Sequence, residues 1–297
     1  MKPVIIRGVG LIGTLVAERL IRRKIPVIVV SRNPQRFGGN SGFRIIHRAD
    51  IGAQVEAVNE AQAVINLEGK NIAAGIWTKK LKNEIMASRR ESVAQLAEVL
   101  SKADNPALRI LQASATGYYG DRGHEILTET SDPGQGFLAD TCVEWESAAM
   151  KAFKKERLAI FRIAPVLSNK AGVFAVWRRF FRAFLGGRFG KGDQYFSWIH
   201  EFDMADMLVH YAEHFNPGTV NATAPEPVTN SHLTDVLAEK FKRHAIFHVP
   251  EFVLKSLPGD FGREMLLASV RAVPKRAIAD GFNFRFERFA EAVEDLN

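Results

Sequence analysis

Gly8, Gly10 and Gly13 stand in a G-x-G-x-x-G spacing directly after the apolar run VIIR and directly before an amphipathic stretch. Glycine at such a corner permits a tight turn and lets backbone approach a diphosphate. The diphosphate's charge then meets the free N–H groups of Leu11, Ile12 and Gly13 at a helix start. The chemistry implied is dinucleotide binding; the alternative is a glycine-rich turn that holds no ligand. Ser31 and Arg32 close the next apolar run, where an NAD site usually carries Asp or Glu for the ribose hydroxyls. No carboxylate stands there. A guanidinium pairs with a 2′-phosphate in fork geometry, so NADP(H) is favoured over NAD, and a solvated loop arginine is the competing reading.

Other reactive side chains carry weaker signals. Cys142 is the single cysteine, which excludes an internal disulfide and reads first as a small buried hydrophobe rather than a nucleophile. His210 and His214 lie four apart near Asp206, a spacing compatible with a metal, yet no further ligand cluster accompanies them and a solvated face is preferred. Glu144 and Glu146 read as ordinary helix-surface charges. WRRFFRAFLGGRFGK, residues 177–191, interleaves five cations with aromatic rings and has no acid. It reads as a lining for a cleft that grips an anion, as a surface for anionic lipid or single-stranded nucleic acid, or as a helix burying its phenylalanines with its arginines in water.

These residues need a frame. Apolar β-rich runs at 3–7, 26–31, 44–47, 63–67, 108–114 and 158–163 alternate with helical patterns at 11–24, 77–101 and 137–153. Six strands joined by crossovers predict an α/β fold, a Rossmann-like doubly wound parallel sheet whose ligand sits at the C-terminal strand ends. Residues 1–165 are expected to form the NADP-binding domain. Residues 166–297, richer in glycine and proline breaks, are expected to form a smaller substrate lobe, with some segments returning to the sheet. The 297 residues, 46% hydrophobic and 25% charged, exclude a disordered or low-complexity chain. Lys2 and Arg7 before the apolar residues 8–17 imitate a secretory signal, but the spaced glycines and the charged continuation to Lys24 favour strand, turn and helix. No run reaches the ~18 apolar residues of a membrane span. A reducing, cytoplasmic setting is expected, with a small-molecule partner and neither nucleic acid nor membrane insertion, although the net charge of +7 alone does not choose among anionic partners.

Several longer segments occur together: VINLEGKNIAAGIWT (64–78), SATGYYGD (114–121), the pair Trp145 and Glu146, GKGDQYFSWIHEFDMADM (190–207), NATAPEPVTN (221–230) and VPKRAIADGFNFRF (273–286). In that order, over essentially the whole chain, they resemble the SDR39U-type epimerase family of the short-chain dehydrogenase/reductase superfamily, which is related to nucleotide-sugar epimerases. The resemblance implies an extended Rossmann-like fold, bound NADP(H), and an oxidoreductase or epimerase of undefined substrate, with an anionic or nucleotide-linked molecule as the expected class. It places Asn66, Leu67 and Glu68 beside the cofactor; Arg162, at the end of the sixth strand, is expected from its position to point towards the same crevice. Ser114 resembles the strand-end serine that holds a substrate oxygen.

The same resemblance exposes departures. Arg7 stands where extended members begin the loop with a glycine, so its side chain would crowd the pyrophosphate or touch it as a cation. Glu68 replaces the alanine of a Leu-Ala-Gly turn, and would repel phosphates if it pointed inward. The Tyr-x-x-x-Lys pair that moves the proton in short-chain dehydrogenases is absent: the helix at 137–153 offers Phe137 and Leu138, then Thr141 and Cys142. Tyr118 or Tyr119 is the substitute donor, unless both rings simply pack beneath the lobe. Three functions follow: an NADP(H)-dependent oxidoreductase or epimerase with an atypical donor, a catalytically silent NADPH sensor or scaffold, and, less favoured, a nucleic-acid or membrane-surface binder that uses the basic helix.

Overall fold

The structure is a computed structural model that describes residues 1–37, 42–245 and 247–296. Seven parallel strands form one sheet: β1 (Val4–Arg7), β2 (Val27–Ser31), β3 (Arg44–His47), β4 (Ala63–Asn66), β5 (Arg109–Ala115), β6 (Leu158–Ile163) and β7 (Gly218–Ala222), in the spatial order β7-β6-β5-β4-β1-β2-β3. The chain starts in the middle, winds to one edge and then to the other, so the crevice opens where β1 and β4 part. The six strands expected from periodicity are all present. The seventh, β7, pairs with β6 in parallel from Gly218 against Ala159 to Ala222 against Ile163.

The alternation along β1 explains why both sheet faces are covered. Val4 and Ile6 are 0% exposed and join Leu15, Val16 and Leu20 of α1 (Leu11–Arg22). Ile5 faces the other way, into a core built with α2 (Ile51–Glu60), α3 (Lys79–Ser101) and α4 (Phe137–Ala152). Burial on both faces makes the strands continuous apolar runs, which is why they are legible in the sequence. Side-chain caps set the starts of two of these helices: Asp50 accepts from the Ala53 amide at 2.9 Å and Thr78 from the Leu81 amide at 3.2 Å.

Beyond residue 166, α5 (Val173–Arg182) and α7 (Asn230–Phe241) close a separate apolar cluster of Phe174, Phe181, Trp198, Leu233, Leu237 and Phe289. On α5, Arg179 and Arg182 are exposed while Phe174 and Phe181 are buried, an amphipathic division that Val176 and Phe180, and Phe184 and Leu185 just beyond the helix, do not follow, being exposed. Helix α6 (Glu201–Glu213) lies on the sheet beside α1, with an Arg19–Asp206 ion pair at 2.8 Å.

The residues WIHEFD before and within α6 serve this architecture. His200, fully buried, caps α6 by accepting from the Phe202 amide and packs its ring 4.0 Å from that of Phe286; burial holds its imidazole down to about 4, hence neutral. Asp203 accepts from the amides of Arg285 and Phe286, and burial pushes its carboxyl up to about 6. Together they pin the C-terminal segment to α6. Among the described residues no helix is long and apolar enough to cross a membrane, and no group of metal-ligating side chains gathers, His210 and His214 included.

Candidate functional site

The glycine corner is built by three different steric demands. Gly8 has φ +88°, and a Cβ there would lie 2.6 Å from the Leu67 carbonyl carbon and 2.7 Å from the Glu68 nitrogen, so β1 and the turn after β4 touch backbone to backbone. A Cβ on Gly13 would meet the Gly8 carbonyl oxygen at 2.7 Å, which fixes how closely α1 sits on the corner. Around Gly10 a Cβ would find nothing within 4 Å, and no side chain caps the helix it precedes. An open face over an uncapped helix start is what an incoming diphosphate requires. Leu11 and Ile12, half-buried, supply the first turn.

At the end of β2, Ser31 accepts a hydrogen bond from the Asn33 amide at 3.1 Å, and Arg32 is exposed with no partner among the described residues. The amide of Arg48, just after β3, donates to the Ser31 carbonyl at 2.9 Å. Arg7 does not rise into the open face. Its side chain, 1% exposed, donates through Nη1 to Gln54 Oε1 of α2 at 2.6 Å and through Nη2 to Glu68 Oε2 at 3.2 Å. Glu68 also lies 3.6 Å from Arg48 Nη2. The two departures from the family pattern therefore meet and neutralise each other. Asn66 is fully buried, donating to Gln112 and accepting from Ser92, so its side chain braces β4 against β5 and α3; Leu67 packs against Gly8 and continues the ladder by donating its amide to the Arg7 carbonyl.

At the ends of β5 and β6 the candidate catalytic residues form one buried network. Ser114 Oγ donates to Glu146 Oε1 at 2.6 Å, and Arg162 holds the same carboxylate in a fork, Nε to Oε1 at 3.0 Å and Nη2 to Oε2 at 2.9 Å. Arg162 Nη1 also donates to the Tyr119 hydroxyl at 3.0 Å, and that hydroxyl lies 2.6 Å from Asn221 Oδ1 of β7. The Tyr118 ring lies under the Arg162 guanidinium, whose carbon is 3.4 Å from the ring centroid. One expectation needs correction. Glu146 is not a helix-surface charge but a core residue, 4% exposed, held against Arg162 of β6. Arg162 donates through all three of its guanidinium nitrogens within this network. Glu144, by contrast, is a half-buried partner of exposed Arg90.

Burial decides which of these groups can move a proton. It pushes the Tyr119 phenol up to about 12, with its hydroxyl already engaged, and pushes the Cys142 thiol up to about 11, where no thiolate nucleophile forms near neutrality. Tyr118, half-buried, is also raised by burial and is the one phenol of the pair not fully enclosed.

One participant carries no signal at sequence level. Glu264, in the π-helical turn Gly262–Leu267, accepts from the amides of Phe137 at 2.9 Å and Leu138 at 2.7 Å, capping α4 at the two positions where the missing tyrosine belongs. Trp77 joins the same wall, its ring 5.1 Å from Phe137 and 5.4 Å from Phe261. Gly136, just before α4, has a φ of +108°, and a Cβ there would stand 3.0 Å from the Glu264 carboxyl carbon.

Comparison with known proteins agrees with this geometry. Residues 4–223 match the NAD dependent epimerase/dehydratase family, and residues 249–296 match a domain of unknown function (DUF1731). The chain is 32% identical over 295 residues to the chloroplastic epimerase family protein SDR39U1 homolog of Arabidopsis thaliana, covering 97% of this chain and 84% of that protein. It is 34% identical over 274 residues to the epimerase family protein Mb2239 of Mycobacterium bovis, covering 87% and 90%. Among solved structures, human epimerase family protein SDR39U1 with NADPH superposes with a TM-score of 0.89 at 28% identity, over 99% of this chain and 98% of that one. A UDP-N-acetylglucosamine 4-epimerase from Bacillus cereus, at 16% identity and TM-score 0.75 over 99% and 95%, shares the fold. With its glycine corner, its crevice and most of its length matched, the chain belongs to the NAD dependent epimerase/dehydratase family.

Proposed function

We propose that this protein binds NADP(H) and is an oxidoreductase or epimerase acting on a small carbonyl or sugar-type substrate, anionic or nucleotide-linked. The observation that carries the reading is the open face at Gly10 above an uncapped helix start, set between two glycines that are closed by backbone contact. The pyrophosphate would lie over Gly10, Leu11 and Ile12, and the 2′-phosphate beside Ser31 and Arg32. The NADPH in the human relative's structure supports the choice of cofactor. When bound, the nicotinamide supplies or accepts a hydride. The chain's own contribution is to orient a substrate oxygen and move a proton. Tyr118 is the donor of choice, because Tyr119 and Ser114 are occupied in holding Arg162 and Glu146. The single buried Cys142 accords with a reducing, cytoplasmic setting.

A silent NADPH-binding sensor is favoured by one feature, the Phe137 and Leu138 amides closed by Glu264 where the catalytic tyrosine is missing. Calorimetric titration separates the cofactor claim from the catalytic one. NADPH should bind more tightly than NADH, and Arg32→Ala should remove about 1–2 kcal/mol of that preference, roughly a tenfold change. Equal affinities in the unaltered protein would defeat the cofactor assignment. For catalysis, NADPH absorbance should change with some member of a carbonyl and sugar-nucleotide panel, with the rate falling by about 10²-fold or more in Tyr118→Phe. A panel without turnover selects the sensor.

A further inference from the structure

We infer that Arg7 is a positioning residue of the cofactor site, matched to Glu68, and that the pair sets both dinucleotide affinity and the preference for the extra phosphate. The inference rests on the reading above, that the glycine corner takes NADP(H). The wall of that corner is the turn after β4: the Glu68 nitrogen lies 2.7 Å from where a Gly8 Cβ would stand, so the residue carrying this carboxylate is built into the phosphate-binding turn itself. Left free, its charge would oppose every phosphate brought to Gly10. Arg7, one residue before Gly8, takes up that charge from a site where its own guanidinium is shielded from water. The charged groups in the cluster are Arg7, Glu68 and Arg48, two cations and one anion, so its balance favours an anionic ligand.

Arg7 has a second grip. Gln54 Oε1 accepts from it, and the Gln54 amide donates to the Arg48 carbonyl at 2.8 Å, while the Arg48 amide donates to the Ser31 carbonyl. Arg48 Nε in turn bonds Gln95 of α3. A continuous set of hydrogen bonds thus runs from the residue before the glycine corner to the turn that carries Arg32. Loss of Arg7 does two things: it unmasks Glu68, which weakens any dinucleotide, and it frees the Ser31 turn, which weakens only the one bearing a 2′-phosphate.

The test is a double-mutant cycle read as NADPH and NADH dissociation constants, with thermal melting recorded on the same samples. Arg7→Gly should weaken NADPH by about tenfold or more and NADH by less, and raising the salt should shrink the part due to Glu68. Arg7→Gly/Glu68→Ala, which removes both charges together, should regain NADH affinity to within about threefold of the unaltered protein. Arg7→Lys keeps a cation beside Glu68 but loses the fork, and should likewise preserve NADH binding while losing NADPH preference. If Arg7→Gly fails to fold, the lysine and double variants carry the same comparison. Effects that simply add, or losses of melting temperature with unchanged dissociation constants, overturn the inference and leave a merely structural ion pair. Failure of the unaltered protein to bind NADPH would instead remove the cofactor reading beneath it.

Discussion

Arg162→Met is expected to destabilise the protein by about 3–5 kcal/mol, the usual consequence of leaving one member of a buried ion pair alone. Glu146, 4% exposed, would lose a forked partner and retain only the Ser114 hydroxyl, and Tyr119 would lose a donor. At this chain length a loss of that size lowers the melting temperature by on the order of 10 °C. The companion change Arg162→Met/Glu146→Leu removes both charges and should recover most of the loss, because a dry pair gains little over well-packed apolar atoms once desolvation is counted. Thermal melts of the two variants decide the matter. A single-variant loss under about 1 kcal/mol would mean that water reaches the network and that the pair is not the brace described here.

The second large effect separates fold from ligand at two glycines two residues apart. Gly8→Ala places a methyl 2.6 Å from the Leu67 carbonyl carbon, 2.7 Å from the Glu68 nitrogen and 2.8 Å from the Leu67 oxygen at a φ of +88°, and all three atoms belong to backbone that cannot rotate away. The backbone conformation alone costs about 1–3 kcal/mol, and the overlap must part β1 from the turn after β4. Melting temperature and cofactor binding should fall together. Gly10→Ala meets nothing within 4 Å, so its melting temperature should move by less than about 1 kcal/mol equivalent. Its methyl does, however, enter the space reserved for the diphosphate, and NADPH affinity should drop by about tenfold or more. If Gly10→Ala binds NADPH normally, the pyrophosphate does not pass over this corner.

Much of the sheet was legible because its strands are buried on both faces. Val4, Ile5 and Ile6, or Val27 to Val30, need no partner to announce themselves, since an apolar β-branched run has few other fates. β7 was harder: Gly218, Thr219 and Asn221 dilute its pattern, and its place comes from the ladder with β6, while the Asn221 side chain ties Tyr119 to the Leu127 and Val273 carbonyls. At the site, the glycine corner and the cation after β2 could be read because each rule is local, a turn's sterics or the residue that ends a strand. Glu146 misled because a carboxylate on a helix looks the same whether it faces water or a guanidinium sixteen residues away.

The sequence by itself therefore determined the parallel α/β frame, the glycine corner between β1 and α1, the lack of a carboxylate after β2 and the absence of the usual tyrosine–lysine pair. Periodicity and short-range sterics carry that information within a few neighbouring residues. Only the tertiary structure decided that Arg7 meets Glu68 across 61 residues, that Arg162 is committed to Glu146, and that Glu264 reaches back over 127 residues to cap Phe137. Charge type names a group's chemistry, but its partner is chosen by which backbone segments the packed sheet and helices bring within a few ångströms, and no local pattern encodes that distance.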